Sequence, residues 1–113
     1  MHEQSVVESI LAIALENAEK AQAKRILRIY IVVGDLSGVV DDSVNFYFNF
    51  LSRNTIAAGA SLLFLHTPAQ LRCRNCDKIF TTEKLDFHCP DCKEQKVEIV
   101  GGQELYIESM EVQ

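Results

Sequence analysis

The sequence predicts an α+β fold in which two helices pack on a small mixed or antiparallel sheet, with a zinc-ribbon-like module inserted between two sheet strands. Apolar residues recur at helical spacing in residues 3–23 and 41–53. Residues 24–34 are rich in β-branched and aromatic side chains, and residues 60–66 (ASLLFLH) are mostly apolar, so both segments are expected to be strands. Two Cys-x-x-Cys pairs follow within residues 71–93. A last apolar stretch, residues 104–112, needs a buried face and is therefore expected to rejoin the sheet.

The first helix is predicted from Glu3 to about residue 23. Its apolar side chains recur every three or four residues, while glutamates and Lys20 occupy the other faces. These apolar positions are Val6, Val7, Ile10, Leu11, Ala14, Leu15 and Ala18. The strand that follows, residues 24–34, ends in a continuous apolar run at 29–33, as expected for a central strand.

A loop between Gly34 and Gly38 leads to the second predicted helix. Asp41 or Asp42 is expected to be its N-cap, because a carboxylate accepts a hydrogen bond from the free N–H groups of the first turn. The inner face is expected to carry Val44, Tyr47, Phe48 and Leu51. The aromatic run at 46–50 belongs either to a cofactor-binding surface or to the core of a small domain, and the core interpretation is favoured.

The four cysteines form two brackets of the same spacing, Cys73-x-x-Cys76 and Cys89-x-x-Cys92. Each bracket places two thiolates on one tight turn, and two such turns joined by a hairpin supply four sulfurs to a tetrahedral metal site. The spacing predicts zinc. Iron stays open, as does a redox role for the cysteines, although two facing brackets favour a permanently bound metal. We expect a zinc-binding domain at 70–95, inserted into an α/β domain made of 1–69 and 96–113.

The amino-acid composition and net charge exclude several functional classes for this protein. The chain has 113 residues and a formal net charge of −5, so it is one small domain or two very small ones, and it lacks the basic excess of a general nucleic-acid binder. No apolar run approaches the roughly 18 residues of a membrane span, and no signal-peptide pattern begins the chain, so a reducing cytoplasm is expected. The chain has no phosphate-binding loop motif and no helical His-Glu-x-x-His pair. We therefore expect a protein that is not an enzyme.

The opening Met1-His2-Glu3 is a second candidate metal site. A free α-amine, the next backbone amides and the His2 imidazole can close adjacent chelate rings in one plane. Such a planar nitrogen set suits Ni(II) or Cu(II), whereas zinc prefers a tetrahedron. Taken alone, this segment is interpreted as a frayed, solvated terminus in preference to a metal site.

Several other side chains have two interpretations each. His88, next to Cys89, is either an additional nickel ligand or a solvated hairpin residue. Asp41 and Asp42 offer a carboxylate oxygen to nickel or a cap to the second helix, and His66 is expected to be structural. The basic residues around the brackets, which either bind nucleic acid or offset the negative charge of a zinc–thiolate centre, are Arg72, Arg74, Lys78 and Lys93.

Taken together, four segments resemble the HypA family of hydrogenase maturation factors. They are M-H-E-x-S-V-V-x-S-I at the start, I-V-V-G-D-L-S-G-V in the middle, the two cysteine brackets, and G-G-Q-E-L-Y-I-E-S-M-E-V at the end. The resemblance covers nearly the whole chain. One departure is Asn54-Thr55 after the second helix, where the family pattern has Gly-Thr; asparagine can also adopt the left-handed conformation that ends a helix.

The resemblance implies a nickel metallochaperone that delivers Ni(II) to the large subunit of nickel–iron hydrogenase, acting with the GTPase HypB. It implies His2 as the essential nickel ligand, with the Met1 amine and the Glu3 backbone beside it, and a structural Zn(II) on the four cysteines. Monomer and homodimer are both compatible with the sequence. The rival interpretation is a zinc-ribbon adaptor that binds nucleic acid or a transcription complex, which predicts a basic or aromatic stripe on the ribbon.

Overall fold

The structure, a computed structural model, describes residues 3–82 and 86–113. The elements in chain order are α1 (Glu3–Lys20), β1 (Ile26–Gly34), α2 (Asp41–Leu51), β2 (Ser61–Thr67), β3 (Ala69–Cys73), β4 (Ile79–Thr82), β5 (Val97–Gly101) and β6 (Leu105–Val112). The predicted order of helix, strand, helix, strand, cysteine module and strand is confirmed.

The chain divides into two compact units. The first comprises Met1–Val32, Val39–Leu65 and Tyr106–Gln113, and the second comprises Val33–Gly38 and His66–Leu105. The expected division into two metal-binding domains, 1–69 with 96–113 and 70–95, stays a prediction.

The first sheet has the strand order β2-β1-β6. Its central strand, β1, is the most apolar, and the side chains of Ile26, Ile29 and Ile31 on it are fully buried. The last strand lies beside β1, and the backbone N–H of Gln113 donates to the carbonyl of Arg25 at 2.8 Å. The prediction that the last strand rejoins the sheet is therefore confirmed.

Helix α1 buries one apolar stripe, which consists of Val6, Val7, Ile10, Leu11, Ala14 and Ala18. The helix ends at Lys20, earlier than expected, because Gln22 adopts a left-handed φ of 55°. The N–H of Ala23 then donates to the carbonyl of Ala18 at 2.9 Å, which is the bond of a Schellman cap. Residues 21–23 therefore close the helix and do not extend it.

Helix α2 packs through Val44 and Phe48, which are buried, whereas Tyr47 and Leu51 are half-buried. The predicted N-cap was wrong. The N-cap is Val40, whose side chain has no hydrogen-bond acceptor, and both aspartates lie in the first helical turn. The helix dipole favours carboxylates in the first turn. Asp41 and Asp42 therefore stabilise the start of α2 without being its N-cap.

The end of α2 follows the expectation for its asparagine. Asn54 has a left-handed φ of 63°, the conformation that glycine adopts most readily. The Thr55 hydroxyl donates to the carbonyl of Ser52 at 2.6 Å and so satisfies one of the free carbonyls at the helix end. The Asn54-Thr55 departure from the family pattern is thus accommodated locally.

The second unit contains an antiparallel sheet of order β4-β3-β5. Leu71 on β3 lies opposite Phe80 on one side and Ile99 on the other. Alternate β3 side chains, Ala69, Leu71 and Cys73, are fully buried. The first thiol of the cysteine cluster is therefore held at the end of a strand whose buried face is fixed by packing.

Within the second unit, the loop 33–38 is joined to residues 67–104 by three backbone hydrogen bonds. Gly34 N–H donates to Glu104 at 2.7 Å, Asp35 N–H to Thr67 at 2.9 Å, and Leu36 N–H to Gly102 at 2.6 Å. The backbone segments at Gly34 and Gly102 approach so closely that a Cβ on Gly34 would lie 2.1 Å from the carbonyl oxygen of Gly102. Only glycine fits position 34 without moving the backbone.

Candidate metal centre

The two cysteine brackets fold into the same turn. In the first, the N–H of Asp77 donates to the carbonyl of Cys73 at 2.8 Å, and in the second, the N–H of Lys93 donates to that of Cys89 at 2.9 Å. The residue after each bracket is left-handed, with φ of 62° at Asp77 and 64° at Lys93. Both Cys-x-x-Cys segments therefore have the same backbone conformation. This shared conformation explains why the two pairs of sulfurs converge.

The four thiols meet in a single cluster, as the spacing predicted. The Sγ atoms of Cys73 and Cys92 are 3.4 Å apart, those of Cys76 and Cys89 are 3.6 Å apart, and all four lie within 4.8 Å of one another. Zinc–sulfur bonds of about 2.3 Å in a tetrahedron require sulfurs about 3.8 Å apart. The cluster therefore has the donor type, number and spacing of a structural zinc site.

Burial within the cluster is asymmetric. Cys73 and Cys89, the first residue of each bracket, are fully buried, whereas Cys76 is exposed and Cys92 is intermediate. The inner thiols are fixed by packing and the outer ones by the turn. Two sulfurs of the cluster therefore lie in the packed interior and two lie nearer to water.

Two of the thiols, Cys92 and Cys76, have pKa values that are shifted in opposite directions. A hydrogen bond from the backbone N–H of Glu94, aided by the Asn75 side chain, lowers the pKa of Cys92 to about 6. At Cys76 the backbone N–H of Lys78 acts in the same direction, but hydrogen bonds to the neighbouring sulfurs, chiefly that of Cys89, together with partial desolvation outweigh it and raise the pKa to about 12. Four crowded thiolates repel one another, so full ionisation requires a bound cation.

Arg72 and Lys78, two of the four basic residues around the brackets, are ion-paired. The guanidinium of Arg72 binds the carboxylate of Glu98 and lies 3.6 Å from that of Asp77. The ammonium of Lys78 is 3.3 Å from the carboxylate of Asp91. Cations engaged in this way do not form the free basic stripe that a nucleic-acid adaptor needs.

His88 uses both of its ring nitrogens in hydrogen bonds. Its Nδ1 is 2.7 Å from the carboxylate of Asp86, and its Nε2 is 2.8 Å from the amide nitrogen of Gln95. An amide nitrogen only donates, so Nε2 accepts and the proton of the neutral ring is on Nδ1. The same contact, with a hydrogen bond from the His88 N–H, lowers the pKa of Asp86.

The second predicted metal site begins before the described residues. Met1 and His2 lie outside them. Glu3 is the first residue of α1 and is half-buried, while Asp41 and Asp42 lie in the first turn of α2. The structure therefore assembles the predicted zinc cluster, whereas the predicted nickel set is represented by Glu3 alone.

Comparison with known proteins identifies the family. The sequence profile of a family described as hydrogenase/urease nickel incorporation, metallochaperone, HypA, matches residues 1–112. The chain belongs to the HypA family. It is 43% identical over 112 residues to the hydrogenase maturation factor HypA of Dehalococcoides mccartyi, covering 99% of this chain and 94% of that protein. It is 41% identical over 114 residues to HypA of Caldanaerobacter subterraneus subsp. tengcongensis, covering 100% of both.

Solved HypA structures share the fold. The solution structure of the Ni metallochaperone HypA from Helicobacter pylori matches with a TM-score of 0.69 at 29% identity, covering 99% of this chain and 97% of that one. A second HypA solution structure matches with a TM-score of 0.74 at 30% identity, covering 100% and 97%. The predicted fold class and family are confirmed.

HypA proteins act in nickel incorporation and hydrogenase maturation, so the predicted functional class is confirmed. The family's role is that of a maturation factor and metallochaperone. A maturation factor works through other proteins of the maturation process. Within the described part of the chain, no helix is both long and apolar enough to cross a bilayer.

The sequence-based interpretation of the aromatic run on α2 was right for only part of it. Phe48 is buried in the core, but Phe46 and Phe50 are 69% and 59% exposed. The Phe46 ring meets Tyr47 edge to face, and the Arg53 guanidinium lies 5.1 Å from the centre of the Phe50 ring. These exposed rings line an open cavity of about 190 Å³, whose walls are Gln4, Phe46, Tyr47, Phe50 and Leu51.

Proposed function

We propose that this HypA-family chain carries Ni(II) at its own N-terminus and delivers it during the maturation of nickel–iron hydrogenase, while Zn(II) on four cysteines stabilises the second unit. The observation that carries the proposal is the family match, which runs from residue 1 to residue 112 and therefore includes the N-terminal segment. The zinc ligands are Cys73, Cys76, Cys89 and Cys92. The nickel ligands are the His2 imidazole, the Met1 amine and the Glu3 backbone.

The position of Glu3 supports a backbone ligand at this residue. The first four N–H groups of a helix have no partner inside it, and α1 begins at Glu3. The Glu3 amide is thus among those that the helix leaves available. Nitrogen donors arranged in one plane suit Ni(II), whereas the tetrahedral thiolate cluster suits zinc. Ligand type and geometry would therefore keep the two metals apart.

The remaining parts of the proposal follow from this role. Residues 1–69 and 96–113 form the nickel-binding domain, and 70–95 form the zinc-binding domain. The chain is not itself an enzyme, so a HypB-type GTPase supplies the nucleotide chemistry and the hydrogenase large subunit receives the metal, all in the cytoplasm. The ion pairs of Arg72 and Lys78 and the family membership both speak against the nucleic-acid adaptor.

The test is nickel binding by calorimetry on zinc-loaded protein with a native N-terminus. His2→Ala should abolish binding, because it removes one of the planar donors while leaving the zinc content and the helical circular dichroism unchanged. His66→Ala is the matched control and should bind nickel like the wild type, since His66 lies on β2. Undiminished nickel binding by His2→Ala would exclude the N-terminal site.

A further inference from the structure

The aromatic cavity on α2 is continued by a carboxylate on the same helix face. Phe46 and Phe50 line the cavity, and Asp42 lies four residues before Phe46, so the three side chains are neighbours along one face of the helix. All three are exposed. At the far end of this face the Arg53 guanidinium lies 5.1 Å from the centre of the Phe50 ring. The surface therefore presents a negative charge, two aromatic rings and a positive charge in that order.

The wall that α1 contributes to the cavity is Gln4, in the first turn of that helix. Only Glu3 separates Gln4 from Met1 and His2, which precede the described residues. Three residues of extended chain span at most about 11 Å, so the Cα of Met1 lies within that distance of the Cα of Gln4. The long side chain of Met1 can therefore reach the cavity.

We propose that the Met1 side chain docks in this aromatic cavity and thereby positions the N-terminal donors for nickel. The inference rests on the N-terminal nickel site of the proposed function. A methionine thioether adapts to irregular apolar gaps and makes favourable contacts with aromatic rings. The α-amine of the same residue is attracted to a carboxylate such as Asp42 and repelled by a cation such as Arg53. An N-terminal methionine thus matches both the apolar and the charged parts of the surface.

Docking of this kind would tighten nickel binding without adding a ligand. Donors on an unattached terminus lose conformational freedom when they bind a metal, and this loss opposes binding. The Met1 side chain is not one of the donors, so it can hold the terminus near its bound position before nickel arrives. In this arrangement the α-amine of Met1 is a ligand and its thioether is an anchor.

The first test is NMR of the nickel-free, zinc-loaded full chain with a native N-terminus and carbon-13 in its methionine methyl groups. The chain has only two methionines, Met1 and Met110, so Met110→Leu identifies the Met1 signal. We expect this signal to be displaced by ring currents and to show nuclear Overhauser effects to the Phe46 and Phe50 rings. Phe50→Ala should return the signal toward the position of a solvated methionine.

The second test is nickel binding by calorimetry on the same proteins. Phe50→Ala should raise the nickel dissociation constant about two- to tenfold, the change expected for one lost sulfur–aromatic contact. Phe87→Ala is the matched control, because Phe87 is also an exposed phenylalanine, at 39%, but belongs to the second unit. It should leave both the Met1 signal and the nickel dissociation constant unchanged.

Four outcomes would overturn the proposal. They are a Met1 methyl signal at the solvated position, an unchanged nickel dissociation constant in Phe50→Ala, an equal loss of affinity in Phe87→Ala, and ring contacts that appear only at high protein concentration. The last result would assign the cavity to a second copy of the chain.

The docking of Met1 and the N-terminal nickel site can fail independently. The methyl contacts are recorded without nickel, so a chain that binds no nickel but shows these contacts would contradict the proposed function and not the docking. Conversely, a chain that loses nickel in His2→Ala but shows no methyl contact to the rings would keep the nickel site and exclude the anchor.

Discussion

Glu104 binds the backbone N–H of Gly102 with both carboxylate oxygens, at 2.9 and 3.0 Å. The same carboxylate accepts the hydroxyl hydrogen of Thr67 at 2.6 Å. Gly102 has a φ of +99°, and a Cβ there would lie 2.7 Å from the Cα of Ala69. One side chain therefore fixes a glycine turn at the point where the carbonyl of Gly102 also binds the loop 33–38.

We expect Glu104→Gln to lower the free energy of unfolding at neutral pH, because an amide has only one oxygen to accept these three hydrogen bonds. The Thr67 hydroxyl, and next the Gly102 N–H, lower the pKa of Glu104. A carboxyl whose pKa is lowered on folding stabilises the protein above its unfolded pKa, about 4.3, and loses this effect as pH falls through the folded value. Urea unfolding at several pH values measures it.

The difference between wild type and Glu104→Gln should be constant from pH 7.5 to 5.5 and smaller at pH 4. Glu108→Gln, at an exposed position of β6, is the control and should have little effect at any of these values. A difference that does not shrink in acid would mean that Glu104 acts through packing and not through its charge.

Gly34→Ala should destabilise the protein by about 3 kcal/mol or more, a cost at the upper end of overpacking changes. The added Cβ would lie 2.1 Å from the carbonyl oxygen of Gly102, which is backbone and cannot rotate away. Gly38→Ala is the control: its Cβ meets open space, and only its φ of +78° opposes the change, at a cost of about 1–2 kcal/mol. Equal losses in the two variants would mean that the loop 33–38 adjusts freely.

Cys73→Ala should release zinc and unfold the second unit, while the helical signal of α1 and α2 is largely kept. Zinc modules gain on the order of 10–16 kcal/mol from metal binding, which is also folding energy. Because the two turns are alike, Cys89→Ala should behave in the same way. Asn75→Ala, which removes only a hydrogen bond to Cys92, should keep its zinc. Elemental analysis measures the zinc content, and amide exchange shows which unit unfolds. A full zinc content in Cys73→Ala would exclude that thiol as a ligand.

Extending the N-terminus by one glycine should weaken nickel binding about as much as His2→Ala does. The extension keeps every side chain but moves the α-amine out of the chelate ring that it forms with the next amides. A glycine added after Gln113 is the control and should change nothing. Calorimetry with nickel on both proteins gives the answer, and normal binding by the N-terminal extension would remove the amine from the ligand set.

Nickel should dissociate as pH falls from about 7.5 to 6 while zinc stays bound. The α-amine and histidine have reference pKa values of about 7.7–8.0 and 6.5, so their protonation competes with nickel in this window. Zinc-bound thiolates resist because the metal lowers their proton affinity. Parallel titrations of both metals on one sample measure the two processes. Nickel that stays bound at pH 5 would require ligands other than an amine and a histidine.

Local sequence patterns predicted most of the fold. The 3.6-residue period of α1 and the continuous apolar run of β1 are local properties, and both elements form where expected. The two Cys-x-x-Cys brackets likewise predicted the four-thiol cluster, because the turn in each bracket is shaped by its own backbone hydrogen bonds. The errors occurred at element ends, where Gln22 stopped α1 early and Val40, without a polar side chain, took the N-cap of α2.

Strand pairing between residues distant in the chain was harder to predict from the sequence. The pairing of β5 with β3 was not predicted, because a strand pattern does not identify the partner strand; this pairing places Ile99 opposite Leu71. Exposure of Phe46 and Phe50 was missed for a similar reason. An amphipathic period shows that one helix face is buried, but the width of that face depends on what packs against it.

The sequence by itself determined the family, the element order and the donor set of the zinc cluster, because these depend on residue identity and short spacings. Only the tertiary structure decided which thiols are buried, that Arg72 and Lys78 are paired with carboxylates, and that β1 is the central strand of the first sheet. Those properties arise between residues distant in the chain. Their energies depend on distances and burial that exist only after the strands have paired.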